Sequence, residues 1–202
     1  MPLEIELKLS FPEEALPALA RHPLIASAPR EGEPGMVDST YFDTPALALK
    51  AHRIALRLRR QGVETVQTVK SAAVSHDGLA QRAEWEQPWH GQFDFSAIDD
   101  PDAAALLTQV QSELVPVFGT RFIRDIRHFH PRDGVCILIM IDTGAVMVGA
   151  RTTAISEVEL ELASGETDDL RRLADELRKS LPLVPEDVSK AERGYRLLQQ
   201  GS

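Results

Sequence analysis

A chain of 202 residues with 43% apolar and 26% charged side chains is long enough for one substantial domain with its own core. No run approaches the ~18 consecutive apolar residues of a membrane span, and the N-terminus opens on alternating charge instead of a basic-then-apolar leader, so the expected setting is the cytoplasm, with no membrane partner. The net charge of -9 argues against general nucleic-acid binding, and any anionic ligand has to meet cations gathered locally.

Leu3 to Leu9 alternates apolar and charged residues, which predicts a strand with Glu4, Glu6 and Lys8 on one face. Ser10, Pro12 and Glu13 have the form of a capping box, so a helix is expected from about Pro12 to about Arg21, with Glu31 to Met36 as a loop. Strand-like runs follow at Ser39 to Phe42, Ile54 to Arg60, Glu64 to Lys70 and Gln81 to Trp89. Asp99, Asp100 and Pro101 mark a helix start, with Ala104 to Leu114 as its body. Strands resume at Thr120 to Phe129, Val135 to Asp142 and Ile155 to Leu162. Glu166 to Leu181 carries a helical apolar stripe, and Ser189 with Glu192 caps a last helix ending near Gln199. About eight strands with helices among them predict an α+β fold in which an antiparallel sheet closes into a barrel. No internal repeat or linker divides residues 1–202, so a single domain is expected.

The charged faces recur. Arg57 and Arg59 oppose Ile54, Leu56 and Leu58; Arg82, Glu84 and Glu86 oppose Ala83 and Trp85; Glu157, Glu159 and Glu161 oppose Val158, Leu160 and Leu162. Lys70 ends a further strand. For one such strand alone the simpler reading is a face turned to water, but same-face residues lie about 6.5–7 Å apart, and rows of glutamates at that spacing repel. Opposed arginines and lysines relieve part of the repulsion, and divalent cations would relieve the rest. Turned inward, these faces make a tunnel with acidic and basic walls, suited to a metal-bound polyphosphate. Arginine and lysine can grip phosphate oxygens, while carboxylates can hold Mg²⁺ or Mn²⁺.

Other residues carry less. Cys136, the single cysteine, sits among Val135, Ile137 and Leu138 and reads as a buried, inert thiol. His128 and His130 share a strand face, but no third or fourth zinc ligand stands nearby at a convincing spacing. Trp85 and Trp89 read as packing residues. Of Arg121, Arg124 and Arg127, the register cannot turn all three inward; Arg127 reads equally well as a surface residue.

These motifs resemble those of the CYTH superfamily, the triphosphate tunnel metalloenzymes. The resemblance rests on Glu4-x-Glu6-x-Lys8 (ExExK), Tyr41-Phe42-Asp43-Thr44-Pro45, Arg57-Leu58-Arg59, Lys70, Arg82-x-Glu84-x-Glu86, Asp142, Glu157-x-Glu159-x-Glu161 and Ser189 to Tyr195, in family order over nearly the whole chain. It implies a closed eight-stranded antiparallel tunnel with flanking helices. It also implies that Lys8, Arg57, Arg59, Lys70, Arg82, Arg124 and Lys190 bind triphosphate, and that Glu4, Glu6, Asp142, Glu159 and Glu161 hold Mg²⁺ or Mn²⁺. Lys8, Arg57, Arg59 and Glu84 are the residues placed at the chemistry, with Glu86 as a further tunnel-wall acid. Asp43 matches a family position, although an Asp-Thr-Pro turn explains it equally well. Without the resemblance, Lys190 reads as the exposed first residue of a helix.

Among the family's chemistries, the closing run from Pro182 to Tyr195 and the strand Ile155 to Leu162 are similar to bacterial inorganic triphosphatases, which cleave triphosphate to pyrophosphate and phosphate. Many of those carry a helical CHAD domain, and none is expected within this chain. The alternatives are a thiamine triphosphatase, a class IV adenylyl cyclase, for which no adenine-reading motif is evident, and a polyphosphate-binding module without turnover. A homodimer stays open.

Overall fold

The computed structural model describes residues 3–200. Ten strands are hydrogen-bonded in the order β10-β1-β9-β8-β7-β2-β3-β4-β6-β5, and an added β1–β6 pairing closes the eight strands from β1 round to β6 into an antiparallel barrel, leaving β5 and β10 as flanking pieces. The barrel strands are β1 (Leu3–Ser10), β2 (Gly35–Asp43), β3 (Ala55–Gln61), β4 (Glu64–Lys70), β6 (Leu79–Pro88), β7 (Val115–Phe129), β8 (Cys136–Val148) and β9 (Arg151–Ser164). The short flanking strands are β5 (Val74–His76) and β10 (Val184–Pro185). The helices are α1 (Leu16–Arg21), α2 (Pro23–Ala26), α3 (Ala48–Ala51), α4 (Pro101–Val110), α5 (Thr167–Arg178) and α6 (Lys190–Gln199). No described helix is long and apolar enough to cross a membrane.

The outside of the barrel carries the apolar packing. Leu7 and Leu9 of β1, Ile137, Ile139 and Ile141 of β8, and Val158 and Leu160 of β9 pack under Leu19, Ile25 and the Leu170, Leu173, Ala174, Leu177 stripe of α5. On the opposite side Leu56, Val69, Ala83 and Trp85 pack against Leu49, Ala103, Leu107 and Val110. Each fully buried leucine or isoleucine there contributes roughly 1.5–3 kcal/mol of transfer free energy. That outward apolar demand fixes the strand registers, because a shift of one residue would exchange the two faces, and so it turns the charged rows inward.

A third apolar cluster fills one end of the lumen. Val37, Tyr41, Phe118, Phe122, Val146, Val148 and Ile155 project from the same faces as the charged residues and meet Tyr195 and Leu197 of α6. Gly194 permits this closeness, since a Cβ there would lie 2.2 Å from the Phe118 ring. The last helix therefore caps the barrel from inside.

Several element limits depart from the sequence expectation. The helix expected from Pro12 is a 3₁₀ turn over Glu13–Ala15 followed by α1 and α2, and its start carries no side-chain cap. Ser10 instead stays in β1, its hydroxyl donating to the Val184 carbonyl at 3.4 Å. Gly35 and Met36 already belong to β2, and β7 begins at Val115 instead of Thr120. The strand expected to stop at Asp142 runs on to Val148 and turns through Gly149, at φ 57°, into β9. The helix expected to run on through Leu114 ends at Val110 and tightens into a 3₁₀ turn. At the caps of α4 and α6, Asp100 accepts from the Asp102 and Ala103 amides, and Ser189 accepts from Glu192.

Candidate functional site

Strand pairing determines which charges meet. Glu4 lies opposite Arg82 across β1 and β6, and the Arg82 guanidinium donates to Glu4 Oε2 at 2.7 Å and to Glu6 Oε1 at 2.9 Å. Lys70 donates to Glu4 Oε1 at 2.8 Å and stands 3.0 Å from Glu84. Burial works against the Glu4 charge, but Lys70 and Arg82 outweigh it and hold the carboxyl well below its ordinary range. Burial likewise opposes the Arg82 charge, and Glu6 and Glu4 more than compensate, raising its pKa.

A second nest forms where β7, β8, β9 and α6 converge. Arg124 is paired with Asp142 across β7 and β8 and makes a fork to it at 2.7 and 2.6 Å, while also reaching Glu159 at 2.6 Å. Lys190 enters from the first turn of α6, 2.7 Å from Asp142 and 2.9 Å from Glu159, and also bonds Glu157, which Arg193 grips from the other side. Lys190 is thus buried at the centre of the nest, and its reading as an exposed helix residue does not hold. Despite burial, Lys190, Arg124 and Lys8 hold Glu159 well below the usual carboxylate range.

The third side of the lumen is basic and poorly matched. Arg57 reaches Glu84 and Glu86 only at 3.6 and 3.9 Å, and Arg59 reaches Glu86 at 3.9 Å. The Nε atoms of both arginines, Arg57 Nη2, and the hydroxyls of Ser39 and Thr120 are buried without a hydrogen-bond partner among the described residues. Burial, reinforced by Arg57 and Arg124, lowers the Arg59 pKa to about 10. Burial also lowers the Lys8 pKa, with Lys190 and Arg193 adding to it against Glu6 and Glu159. Buried donors without acceptors are costly unless a ligand or water meets them.

All these cations face one cavity of about 410 Å³, lined by Lys8, Arg57, Arg59, Lys70, Arg82, Arg124 and Lys190. A profile of the CYTH domain matches residues 2–195. The chain belongs to the CYTH domain family. The inorganic triphosphatase of Haemophilus influenzae (strain ATCC 51907 / DSM 11121 / KW20 / Rd) is 29% identical over 200 residues, covering 96% of this chain and 54% of the relative, so the chain spans about half that relative's length. Among solved structures, HpAC1 from Hippeastrum, described with a dominant triphosphatase activity, superposes with a TM-score of 0.69 at 21% identity, over 98% of this chain and 96% of that one. The bh2851 protein of Bacillus halodurans gives 0.62 at 21% identity, over 96% and 98%. At those identities the two structures establish the likeness of fold.

Within this CYTH barrel, the acids expected to hold metal lie in two groups. Asp142 and Glu159 gather with Glu157, with one carboxylate oxygen of each within 4.8 Å of the others. Glu4 and Glu6 lie with Arg82, and Glu161 is directly opposite Glu6 across β1 and β9. Burial pushes Glu161 up to about 7, with the charges of Glu4, Glu84 and Glu159 adding to it against Lys70, and no described cation lies within ion-pair distance of it. Glu6 and Glu161, opposed across β1 and β9, are a donor pair that fits a hard divalent cation, whereas Asp142, Glu157 and Glu159 converge on the Lys190 ammonium. Glu84 is raised by burial and by Glu4 and Glu86, against Lys70 and Arg57.

Sequence reasoning singled out neither Glu157 nor Arg193, which pair within the nest. The glutamate row was visible, but only the Asp142–Glu157 pairing of β8 and β9 shows which glutamate meets the aspartate. Of the three arginines on β7, Arg124 faces the cavity, and Arg121 is exposed and bonds Asp38 at 2.6 Å. Arg127 is not a surface residue: it is buried on the opposite face, donating to the Ile25 carbonyl at 2.9 Å and to Asp125 at 3.0 Å. Asp43 is a structural turn residue, accepting from the Thr44, Leu49 and Lys50 amides and from the Tyr195 hydroxyl. Cys136 is half-exposed instead of buried, because β8 begins with it at the barrel rim.

Proposed function

We propose that the cavity hydrolyses inorganic triphosphate to pyrophosphate and phosphate with Mg²⁺ or Mn²⁺ present. The observation that carries this reading is the cluster of buried donors without acceptors on Arg57 and Arg59, in a cavity where Lys70, Arg82, Arg124 and Lys190 already have carboxylate partners. An anionic chain would supply the missing acceptors. Arg57, Arg59, Arg82 and Arg124 can bind phosphate oxygens through planar guanidinium groups, and Lys8, Lys70 and Lys190 can add point charges along its length.

Glu6 and Glu161, with Glu4 beside them, are the residues that would hold the metal, since Asp142, Glu157 and Glu159 are already engaged by Lys190, Arg124 and Arg193. When bound, the metal would supply positive charge to offset that on the phosphoryl oxygens. The chain's own residues do the remainder. Water attacks a terminal phosphorus in line, the bridging P–O bond breaks, and Arg57, Arg59 and Lys8 stabilise the charge that builds on the departing pyrophosphate oxygen. Glu84, held by Lys70 within the lumen, is suited to take the proton from the water.

The relative from Haemophilus influenzae supports the same substrate class. Inorganic triphosphate is favoured over thiamine triphosphate because the aromatic rings lining the cavity are already engaged: Tyr41 stacks on Phe118 at 4.6 Å, and Tyr195 meets Phe118 edge-on at 4.9 Å. Neither offers a free shelf for a thiamine ring. Parallel rates with inorganic triphosphate, thiamine triphosphate and ATP test the choice. The highest kcat/KM is expected for inorganic triphosphate, and preference for either of the others would overturn it.

A further inference from the structure

The β7–β8 hairpin brings two histidines and the single cysteine together at the barrel rim. The antiparallel register sets His128 opposite Leu138 and Phe129 opposite Ile137, so His130, just past the end of β7, comes beside Cys136 at the start of β8. One ligand atom from each of His128, His130 and Cys136 lies within 4.8 Å of the other two. His130 is exposed, so its ring is free to turn toward Cys136.

The surroundings of both rings are those of metal-binding histidines. His128 Nε2 lies 2.8 Å from Glu31 Oε2, and His130 Nδ1 lies 3.1 Å from the Val135 carbonyl. Each contact takes up one ring N–H and leaves the other nitrogen, Nδ1 of His128 and Nε2 of His130, with a free lone pair. Glu31 is put there by the backbone: the His128 amide donates to Pro29, and the Glu31 amide donates to Ile126, so the Pro29–Glu31 segment runs beside the end of β7.

We propose that His128, His130 and Cys136 form a zinc site at the rim, with a fourth position open to water. The donor set of two imidazoles and a thiolate is borderline-soft and selects Zn²⁺, whereas the all-carboxylate sets of the lumen select hard cations. The two sites are separate, since His128 lies four residues along β7 from Arg124, about 13 Å at strand spacing. Binding releases the Cys136 thiol proton to solvent and ties the hairpin to the segment carrying Glu31.

The test uses chelator-stripped protein titrated with Co²⁺ as a spectroscopic stand-in, then with Zn²⁺ as competitor. The expected result is a thiolate-to-cobalt charge-transfer band saturating at one equivalent, bleached by Zn²⁺ and untouched by excess Mg²⁺. Cys136→Ser should abolish the band. His130→Gln, at an exposed position that keeps the fold, should weaken binding well beyond tenfold, and Glu31→Gln by roughly tenfold or more. Cobalt binding without a thiolate band, or a band of unchanged affinity in His130→Gln, would overturn the assignment.

Discussion

Arg124 and Arg127 lie three positions apart on one strand and are both buried, yet they serve opposite faces of the barrel. Arg124→Ala removes a donor from the proposed substrate cavity and leaves Asp142 and Glu159 without it, so kcat/KM for inorganic triphosphate should fall roughly 10²-fold or more. Arg127→Ala should leave kcat/KM near the wild-type value and instead lower stability by about 1–3 kcal/mol, because it strands the Ile25 carbonyl and leaves Asp125 with Arg30 alone. Steady-state kinetics and thermal melts on the two variants separate the roles, and the reverse pattern would mean that the β7 register is wrong. Glu161 makes a different kind of prediction. Its folded pKa of about 7 stands above the ordinary 4.5, so the folded state of the metal-free protein binds its proton more tightly than the unfolded state does. Stability should therefore decline as pH rises from about 4.5 through 7, and the deficit should persist above that. In chelator at pH ~8, Glu161→Gln should raise the unfolding free energy on the order of 1–3 kcal/mol, while metal-supported turnover is lost. A variant no more stable than wild type at that pH would show that Glu161 is not a strained acid. The sequence displayed the alternating charges at this scale, but it could not show partners: Glu157 meets Asp142 on the neighbouring strand, and Cys136 meets His130 just past the end of β7, which chain position does not reveal.

Among the elements, α6 does the most to shape the cavity, since it brings Lys190 into the acidic nest and Tyr195 and Leu197 into the apolar end of the lumen. Its seating depends on Gly194, whose absent Cβ leaves room for a Phe118 ring already held between Tyr41 and Tyr195. Gly194→Ala should therefore cost about 1–3 kcal/mol from overpacking, in spite of the better helix propensity of alanine, and should reduce turnover by displacing Lys190. A urea melt at or above wild-type stability would contradict this packing. The helix itself was legible because Ser189 and Glu192 form a local cap, and α4 was legible through Asp100 and Pro101 for the same reason. The start near Pro12 misled because the same local signature stands where Ser10 remains in β1 beside Val184. The long extensions of β7, β8 and β9 were not legible, since their ladders are completed by pairing with each other and not by alternation within each strand.

At the level of the whole molecule, a net charge of -9 coexists with a cavity walled by lysine and arginine, because the barrel separates the two by burying one face of every strand. The closed topology was legible from the number of alternating strands and from the family motifs, while the interior plug made by α6 was not, because its apolar stripe looks like that of any surface helix. The most direct test of the central claim is the initial rate of phosphate release from inorganic triphosphate by the purified chain, measured with Mg²⁺, with Mn²⁺ and with excess chelator. Rapid release with either cation, abolished by chelator and reduced by Arg57→Ala, is the predicted result. Triphosphate that binds but is not cleaved with either metal would contradict the hydrolytic roles of Lys8, Arg57, Arg59 and Glu84, and would make the cavity a binding site for polyphosphate.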